Sequence, residues 1–361
     1  MNKIEPVIEK VENGERIDKA EARTLFKDAD LLLMADLAHK KRLLLHPEPV
    51  VTYVVDRNIN YTNVCVSGCR FCAFFCTSDA PHAYVISIEE LKEKIEETIT
   101  LGGTQILLQG GMHPDLTLDY YLDLLSFIKE KFPIHIHGFS PPEIDFIAKK
   151  SGLSIEEILK EFITAGLDSI PGGGAEILDD EIRTEISPNK CGSGPWLKVM
   201  ETAHQLGLKT TATMMFGHIE SLDHIIEHLL KIRELQDKTH GFTAFIPWTF
   251  QPANTRIEVL PATSAQYLKV LALSRIVLDN VDNIQASWVT QGDKIAQVAL
   301  VFGANDIGST MIEENVVAAA GVKFRLPEEQ MIKLIADAGF TPVQRDCFYN
   351  HIREGKTSRK L

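Results

Sequence analysis

The sequence predicts an α/β protein folded as a (βα)8 TIM-type barrel with extra N-terminal helices. Short β-branched or apolar runs alternate with longer amphipathic stretches, the pattern of βα units around a parallel sheet. Eight such runs spread over roughly 270 residues, the usual size of an eight-stranded barrel. A partial barrel of six strands is the alternative.

Residues 1–46 come first. They set Ile17, Ala20, Leu25 and Leu31-Leu32-Leu33 among Glu and Lys, which predicts two or three helices packed outside the main body. Residues 47–361 then form the barrel domain with C-terminal helices. Strands are expected at 51–56, 104–109, 133–138, 167–170, 208–214, 242–246, 281–286 and 299–303. Helices lie between them. Ser87 and Glu90 form a capping box before Leu91. Ser221 opens the next clear helix, and Thr310 with Glu313 caps one over Asn315 to Ala320.

Hydrophobic residues make up 45% of the chain, enough for a large core. A formal net charge of −13 argues against a nucleic-acid polyanion as partner. No run of eighteen apolar residues is present, so no membrane span is expected. The opening Met1-Asn2-Lys3-Ile4-Glu5-Pro6 lacks the apolar centre of a signal peptide. Unpaired thiols fit a reducing cytoplasm.

The most specific signal is Cys65-Val66-Ser67-Gly68-Cys69-Arg70-Phe71-Cys72. Three thiolates within eight residues can wrap one 4Fe–4S cluster from a single loop and leave its fourth iron open. Phe71 can shield that cluster from water. Cys76 allows two other readings, a four-thiolate zinc site or a four-cysteine electron-transfer cluster. Zinc sites usually split their ligands into two pairs, and no second pair follows; Cys191 and Cys347 stand alone. Six cysteines in 361 residues do not make a disulfide scaffold. Cys76 is therefore expected to be an incidental buried thiol.

Active sites of such barrels form at the C-terminal strand ends. The second strand ends in Gln109-Gly110-Gly111, where paired glycines permit close approach of a ligand. The third ends in His137-Gly138-Phe139-Ser140-Pro141-Pro142-Glu143. His135 and His137 are read as facing opposite sides, with His137 toward the interior. Glu143 suits either the site or the first turn of a helix. The fourth ends in Gly172-Gly173-Gly174-Ala175-Glu176, and the glycine run favours a ligand role for Glu176. The fifth ends in Gly217-His218, the seventh in Ser287-Trp288 and the eighth near Asp306. His224, His228 and His240 are read as solvated.

Cys-x3-Cys-x-aromatic-Cys resembles the signature of the radical S-adenosylmethionine enzymes. The stretches Val54–Asn63, Gly103–Gly111, His135–Glu143, Pro171–Ile177, Thr211–His218, Phe245–Pro252 and Ile284–Val289 resemble the cyclic dehypoxanthinyl futalosine synthase family, over roughly residues 15 to 348. That family works in the futalosine route to menaquinone. The resemblance implies two cofactors, a 4Fe–4S cluster on Cys65, Cys69 and Cys72, and S-adenosylmethionine. It implies contacts to the latter from Gln109, Gly110, Gly111 and Glu176, with Met112 where glutamate is more common. Arg183 or Lys190 would meet its carboxylate. The implied reaction takes hydrogen from the ribose of dehypoxanthine futalosine and joins the ribose carbon to the benzoate ring. Asp306, His137 and His218 are candidates for the base that removes the ring proton, and Phe139, Phe250 and Trp288 for an apolar lining. A small-molecule substrate and an electron donor such as flavodoxin or ferredoxin are the implied partners. Aminofutalosine synthase, which adds the adenosyl radical to its substrate, is the nearest rival, followed by the deazaflavin-precursor synthases. An iron–sulfur electron carrier is the non-catalytic rival.

Overall fold

The computed structural model describes residues 3–323 and 325–356. Three helices, Glu5–Glu12, Lys19–Asp28 and Leu31–Leu45, open the chain. Asp18 and Asp30 cap the second and third, each side chain accepting a backbone N–H. They pack on the outer helices Leu222–Thr239 and Ser264–Val277. Arg16 ties them down, with Nη1 2.7 Å from Asp237 and Nε 2.8 Å from Asp279.

The strands are β1 (Val50–Val54), β2 (Asp56–Asn60), β3 (Gln105–Gln109), β4 (His135–Gly138), β5 (Ser169–Ile170), β6 (Lys209–Phe216), β7 (Phe242–Thr249), β8 (Asn283–Ile284), β9 (Asp306–Ser309), β10 (Thr341–Arg345) and β11 (His351–Glu354). Strands β2 to β8 form one parallel sheet in chain order. Asn305 N donates to Ile284 O, and Ala286 N to Asp306 O, which joins β8 to β9. Strand β9 pairs in turn with β1, whose chain continues directly into β2. The wall therefore closes as an eight-stranded parallel barrel, counting β1 and β2 as one broken strand.

Seven of the eight expected strands are present within a few residues. The eighth, expected over 299–303, is instead the end of the helix Asp293–Ala299 and the turn that follows it. The real strand is Asp306–Ser309, a short run with one β-branched residue, Ile307, between polar residues and a glycine. The expected C-terminal helices reduce to Glu328–Asp337; β10 and β11 follow it. Strand β10 pairs parallel with β1, opposite β9, and reaches the lower end of the barrel. Ser87 caps Ile88–Thr100 and Ser221 caps Leu222–Thr239, as expected. Thr310 caps nothing; a single turn, Val316–Ala319, starts at Asn315, and Glu313 instead grips Lys94 at 2.7 Å. Among the described residues no helix is long and apolar enough to cross a membrane.

Candidate active site

Inside the barrel lies one cavity of about 390 Å³. The cysteine loop forms part of its wall, and strand residues Asp56, Asn58, Gln105, Gln109, His137, Thr211 and Thr213 carry it downward to Arg345.

The loop runs between β2 and the helix Ile88–Thr100, and neighbours hold it by its backbone. Arg256 Nη2 donates to Cys69 O at 3.1 Å, Arg256 N to Arg70 O at 2.7 Å, and Arg70 N to Ile186 O at 2.8 Å. Asn189 Nδ2 reaches Ser67 O at 3.3 Å. Cys65, Cys69 and Cys72 all line the cavity. Ser67 Oγ lies 3.0 Å from the Cys65 sulfur and 3.3 Å from that of Cys69. Burial pushes the Cys69 thiol up, while the nearby Lys190 ammonium opposes the rise. Cys76 is also buried but does not line the cavity; its backbone N–H and C=O pair with Asn63 and Cys65. The loop thus turns three thiols to the chamber, while the fourth lining cysteine, Cys347, sits against Ser169 at 3.3 Å; three loop thiols fit a 4Fe–4S cluster with one open iron and not a four-thiolate zinc site.

Gly110 and Gly111 line the cavity, yet their missing side chains serve the loop as well. A Cβ on Gly111 would sit 2.1 Å from Val64 O and 2.8 Å from Cys65 Cβ. Gly110 N donates to Glu143 Oε1 at 3.0 Å, and that oxygen also accepts from Tyr61 Oη at 2.7 Å. Glu143 Oε2 accepts from Ser140 N at 2.7 Å, the capping box of the helix Pro141–Ser151. Glu143 thus takes the helix-first-turn role as its cap and, from the cavity wall, also fixes the glycine turn. Gln109 lines the cavity and donates to Asn58 at 3.2 Å.

The triple glycine is crowded by protein. A Cβ on Gly172 would lie 2.6 Å from Ala212 Cα, and one on Gly174 would lie 2.4 Å from Pro142. Gly173 alone has ordinary room. The run docks the β5 end on β6 and carries Glu176 into the cavity at a positive φ of 42°. Lys190 Nζ meets Glu176 Oε1 at 2.7 Å and lies 5.0 Å from the centre of the Phe71 ring. Burial pushes the Glu176 carboxyl up, but the Lys190 and Arg183 cations outweigh it and hold it below the usual range.

Arg183 itself is spent on backbone. Its Nη1 donates to Ala175 O at 2.5 Å, and its Nε and Nη2 to Cys191 O at 3.0 and 2.6 Å. It does not line the cavity. Of the two cations considered for a carboxylate ligand, Lys190 is the one facing the chamber.

The three base candidates separate. His137 lines the cavity, and burial holds it neutral with its pKa lowered to about 3. His218 lies outside the lining; its Nε2 is 3.1 Å from Met215 O and its Nδ1 3.2 Å from Glu220 Oε2. Asp306 also lies outside the lining, with Arg345 Nε at 2.6 Å and Thr52 Oγ1 at 2.6 Å. His135 does not face away from His137. Residues two apart on a strand share a face, and both rings reach Ser169 Oγ at 2.7 Å. His228, read as solvated, is fully buried and accepts from Leu178 N at 3.0 Å.

Trp288 lines the chamber as expected, together with Trp248, Phe71, Phe74 and Phe75. Phe139 and Phe250 do not. Phe139 turns at a positive φ of 56° into an aromatic cluster, 5.7 Å from Tyr61 and 4.7 Å from Phe162 between ring centres. Asp56, Asn58, Glu314 and Arg345, none of them expected from the sequence, also line the cavity. Asn58 was legible from parity: it alternates with Asp56 and Asn60 on β2.

Family models match twice: the Radical SAM superfamily over residues 59–232 and the CofH/MqnC C-terminal region over 239–357. A cyclic dehypoxanthine futalosine synthase of Halalkalibacterium halodurans is 46% identical, covering 97% of this chain and 95% of that protein. One from Streptomyces coelicolor is 42% identical, covering 97% and 89%. A 5-amino-6-(D-ribitylamino)uracil--L-tyrosine 4-hydroxyphenyl transferase of Archaeoglobus fulgidus is 45% identical, covering 83% and 88%. Among solved structures, methylornithine synthase superposes with a TM-score of 0.71 at 19% identity, covering 93% of this chain and 97% of that one. The hydrogenase maturase HydG of Carboxydothermus hydrogenoformans gives 0.75 at 18%, covering 96% and 80%; at such identities the likeness concerns the fold. With the cysteine set, the barrel and both family regions in agreement, the chain belongs to the radical S-adenosylmethionine superfamily, in the branch that carries the CofH/MqnC C-terminal region.

Proposed function

We propose that the protein is a radical cyclase that converts dehypoxanthine futalosine to its cyclic product in menaquinone biosynthesis. One observation carries the reading: a single undivided chamber leads from the three thiols down to His137 and Arg345. Such a chamber suits one elongated substrate whose two ends must be joined. Near full-length identity of 46% to a cyclic dehypoxanthine futalosine synthase supports it.

When bound, a 4Fe–4S cluster on Cys65, Cys69 and Cys72 with S-adenosylmethionine supplies a 5′-deoxyadenosyl radical. The protein binds, orients and excludes. Lys190 presents a cation and Glu176 an anion, matching the carboxylate and the ammonium or ribose hydroxyls of that cofactor. Gly110 and Gly111 bring backbone groups close. Trp248 and Trp288 flank the substrate and keep water out. His137 faces the chamber as a neutral base. The electron comes from a one-electron donor of the flavodoxin or ferredoxin class, in the cytoplasm.

The test is anaerobic turnover with substrate deuterated at the ribose C4′. Deuterium should appear in released 5′-deoxyadenosine, and the product should be two hydrogens lighter than its substrate. Adenosine retained in the product would move the chain to the aminofutalosine type. Turnover only with L-tyrosine and 5-amino-6-(D-ribitylamino)uracil would move it to the transferases, which are as similar in sequence.

A further inference from the structure

We propose that Ser169 and His135 form a proton exit through the lower end of the barrel, carrying away the proton that His137 takes in the chamber. The inference rests on the cyclase reading. Ring closure leaves a carbon that must shed a proton, and the substrate and cofactors fill the upper chamber.

The hub is Ser169 Oγ. It lies 2.7 Å from His137 Nδ1, 2.7 Å from His135 Nε2 and 3.3 Å from Cys347 Sγ. A hydroxyl has one hydrogen and two lone pairs. Three partners are satisfied together when His137 Nδ1–H and the Cys347 thiol donate to Oγ and the hydroxyl donates to His135 Nε2. That arrangement leaves His137 Nε2 as a lone pair, and among the described residues it has no protein partner. Ser169 is 1% exposed and His137 7%, whereas His135 is partly exposed. The chain of hydrogen bonds thus starts in the cavity wall and ends where water reaches.

The surroundings fit a conduit. Burial, and after it the neighbouring His135 and Arg345, discourage a lasting positive charge on His137. His137 therefore passes a proton on rather than storing it. Around His135 stand Asp168, Asp346 and Lys129, with Phe348 edge-on at 5.0 Å between ring centres. Burial lowers the His135 pKa and the two carboxylates oppose that, with Asp168 also paired to Lys129 at 2.7 Å; a proton arriving at His135 therefore passes on to water rather than resting on the ring. The carboxylates of the cavity wall lack such a path: Asp56 is held by Ser309 and Gln105, Glu143 by Tyr61 and Gly110, Glu176 by Lys190, and Glu314 by Asn58 and Val317 N.

The step balances. The ring C–H bond breaks and its electron pair rejoins the π system. The proton goes to His137 Nε2 while Nδ1–H passes to Ser169 Oγ and the hydroxyl hydrogen to His135 Nε2. The unpaired electron would go to a one-electron acceptor, chemistry that an oxidised 4Fe–4S cluster held by Cys65, Cys69 and Cys72 would supply.

Ser169→Ala in the reconstituted holoenzyme tests it, with Ser169→Thr as the variant that keeps a hydroxyl. Deuterium transfer from C4′ should persist in both. Product formed per 5′-deoxyadenosine should fall by about 10²-fold in the alanine variant, the lower range for a positioned acid–base group, and recover in the threonine variant. Independently of turnover, ¹⁵N-histidine NMR should show His137 as the Nδ1–H tautomer in the wild type. An unchanged product ratio in Ser169→Ala, or an Nε2–H tautomer for His137, overturns the relay. Absence of label transfer in the wild type overturns the cyclase reading, and the relay with it.

Discussion

Replacing Lys190 by Met keeps the aliphatic stem and deletes the charge opposite Glu176. The pair is 2.7 Å apart, with side-chain exposures of 16% for Lys190 and 5% for Glu176. Removing one partner of a buried pair costs about 3–5 kcal/mol, because the other charge is left uncompensated. The ammonium reaches the chamber, so water shares part of the load and the lower end, about 3 kcal/mol, applies. At about 2.1 cal/mol/K of unfolding entropy per residue, 361 residues give about 0.75 kcal/mol/K, and Tm should fall by about 4 K. The double variant Lys190→Met with Glu176→Gln should recover most of the loss, since a neutral amide needs no counter-charge. Scanning calorimetry of the three proteins measures this directly. The pH dependence has a definite sign. Glu176 is held below the usual carboxylate range, so its contribution is fully present above the unfolded value, about pH 5 and up, and is lost as pH falls through the folded value. An unchanged Tm for Lys190→Met, or a double variant less stable than the single one, would refute the buried-pair account.

Changing Cys65, Cys69 or Cys72 to Ala should abolish 4Fe–4S absorbance after anaerobic reconstitution, while Cys76→Ala keeps it; equal loss at Cys76 would make the site four-cysteine. Gly111→Ala, whose Cβ would meet Val64 O at 2.1 Å, should lower iron bound per chain by displacing the loop, whereas Gly194→Ala, with no heavy atom within 4 Å, should not.

The barrel was legible because its strands carry dense apolar signals, as in Gln105–Gln109 or Phe242–Thr249. Where a strand is short and polar, as at Asp306–Ser309, periodicity had nothing to count, and the apolar run at 299–303 drew the assignment to the end of a helix. The cysteine loop was legible because spacing alone defines it. Glu176 was placed in the cavity, but for a partly different reason: its glycines fit β6 and Pro142 as well as leaving a way in. Arg183 and Lys190 could not be told apart in sequence, since what separates them is which carbonyls lie within reach after folding. The Ser169 hub was invisible for the same reason. It joins β4, β5 and the segment after β10, which are far apart along the chain.

The flanking of β1 has a consequence for how the chain is made. One edge pairs with β9 and the other with β10, so β1 has no strand partner until residue 309 and lacks its second until about residue 345 has been synthesised. At about 5–20 residues per second, some 290 residues of further translation take roughly 15–60 s. The cysteine loop leaves the ribosome early in that interval, directly after β2, and its thiols wait in water while the far side of the barrel is still being translated. The last strands to be synthesised thus set the moment at which the first one can lock and the chamber can shut.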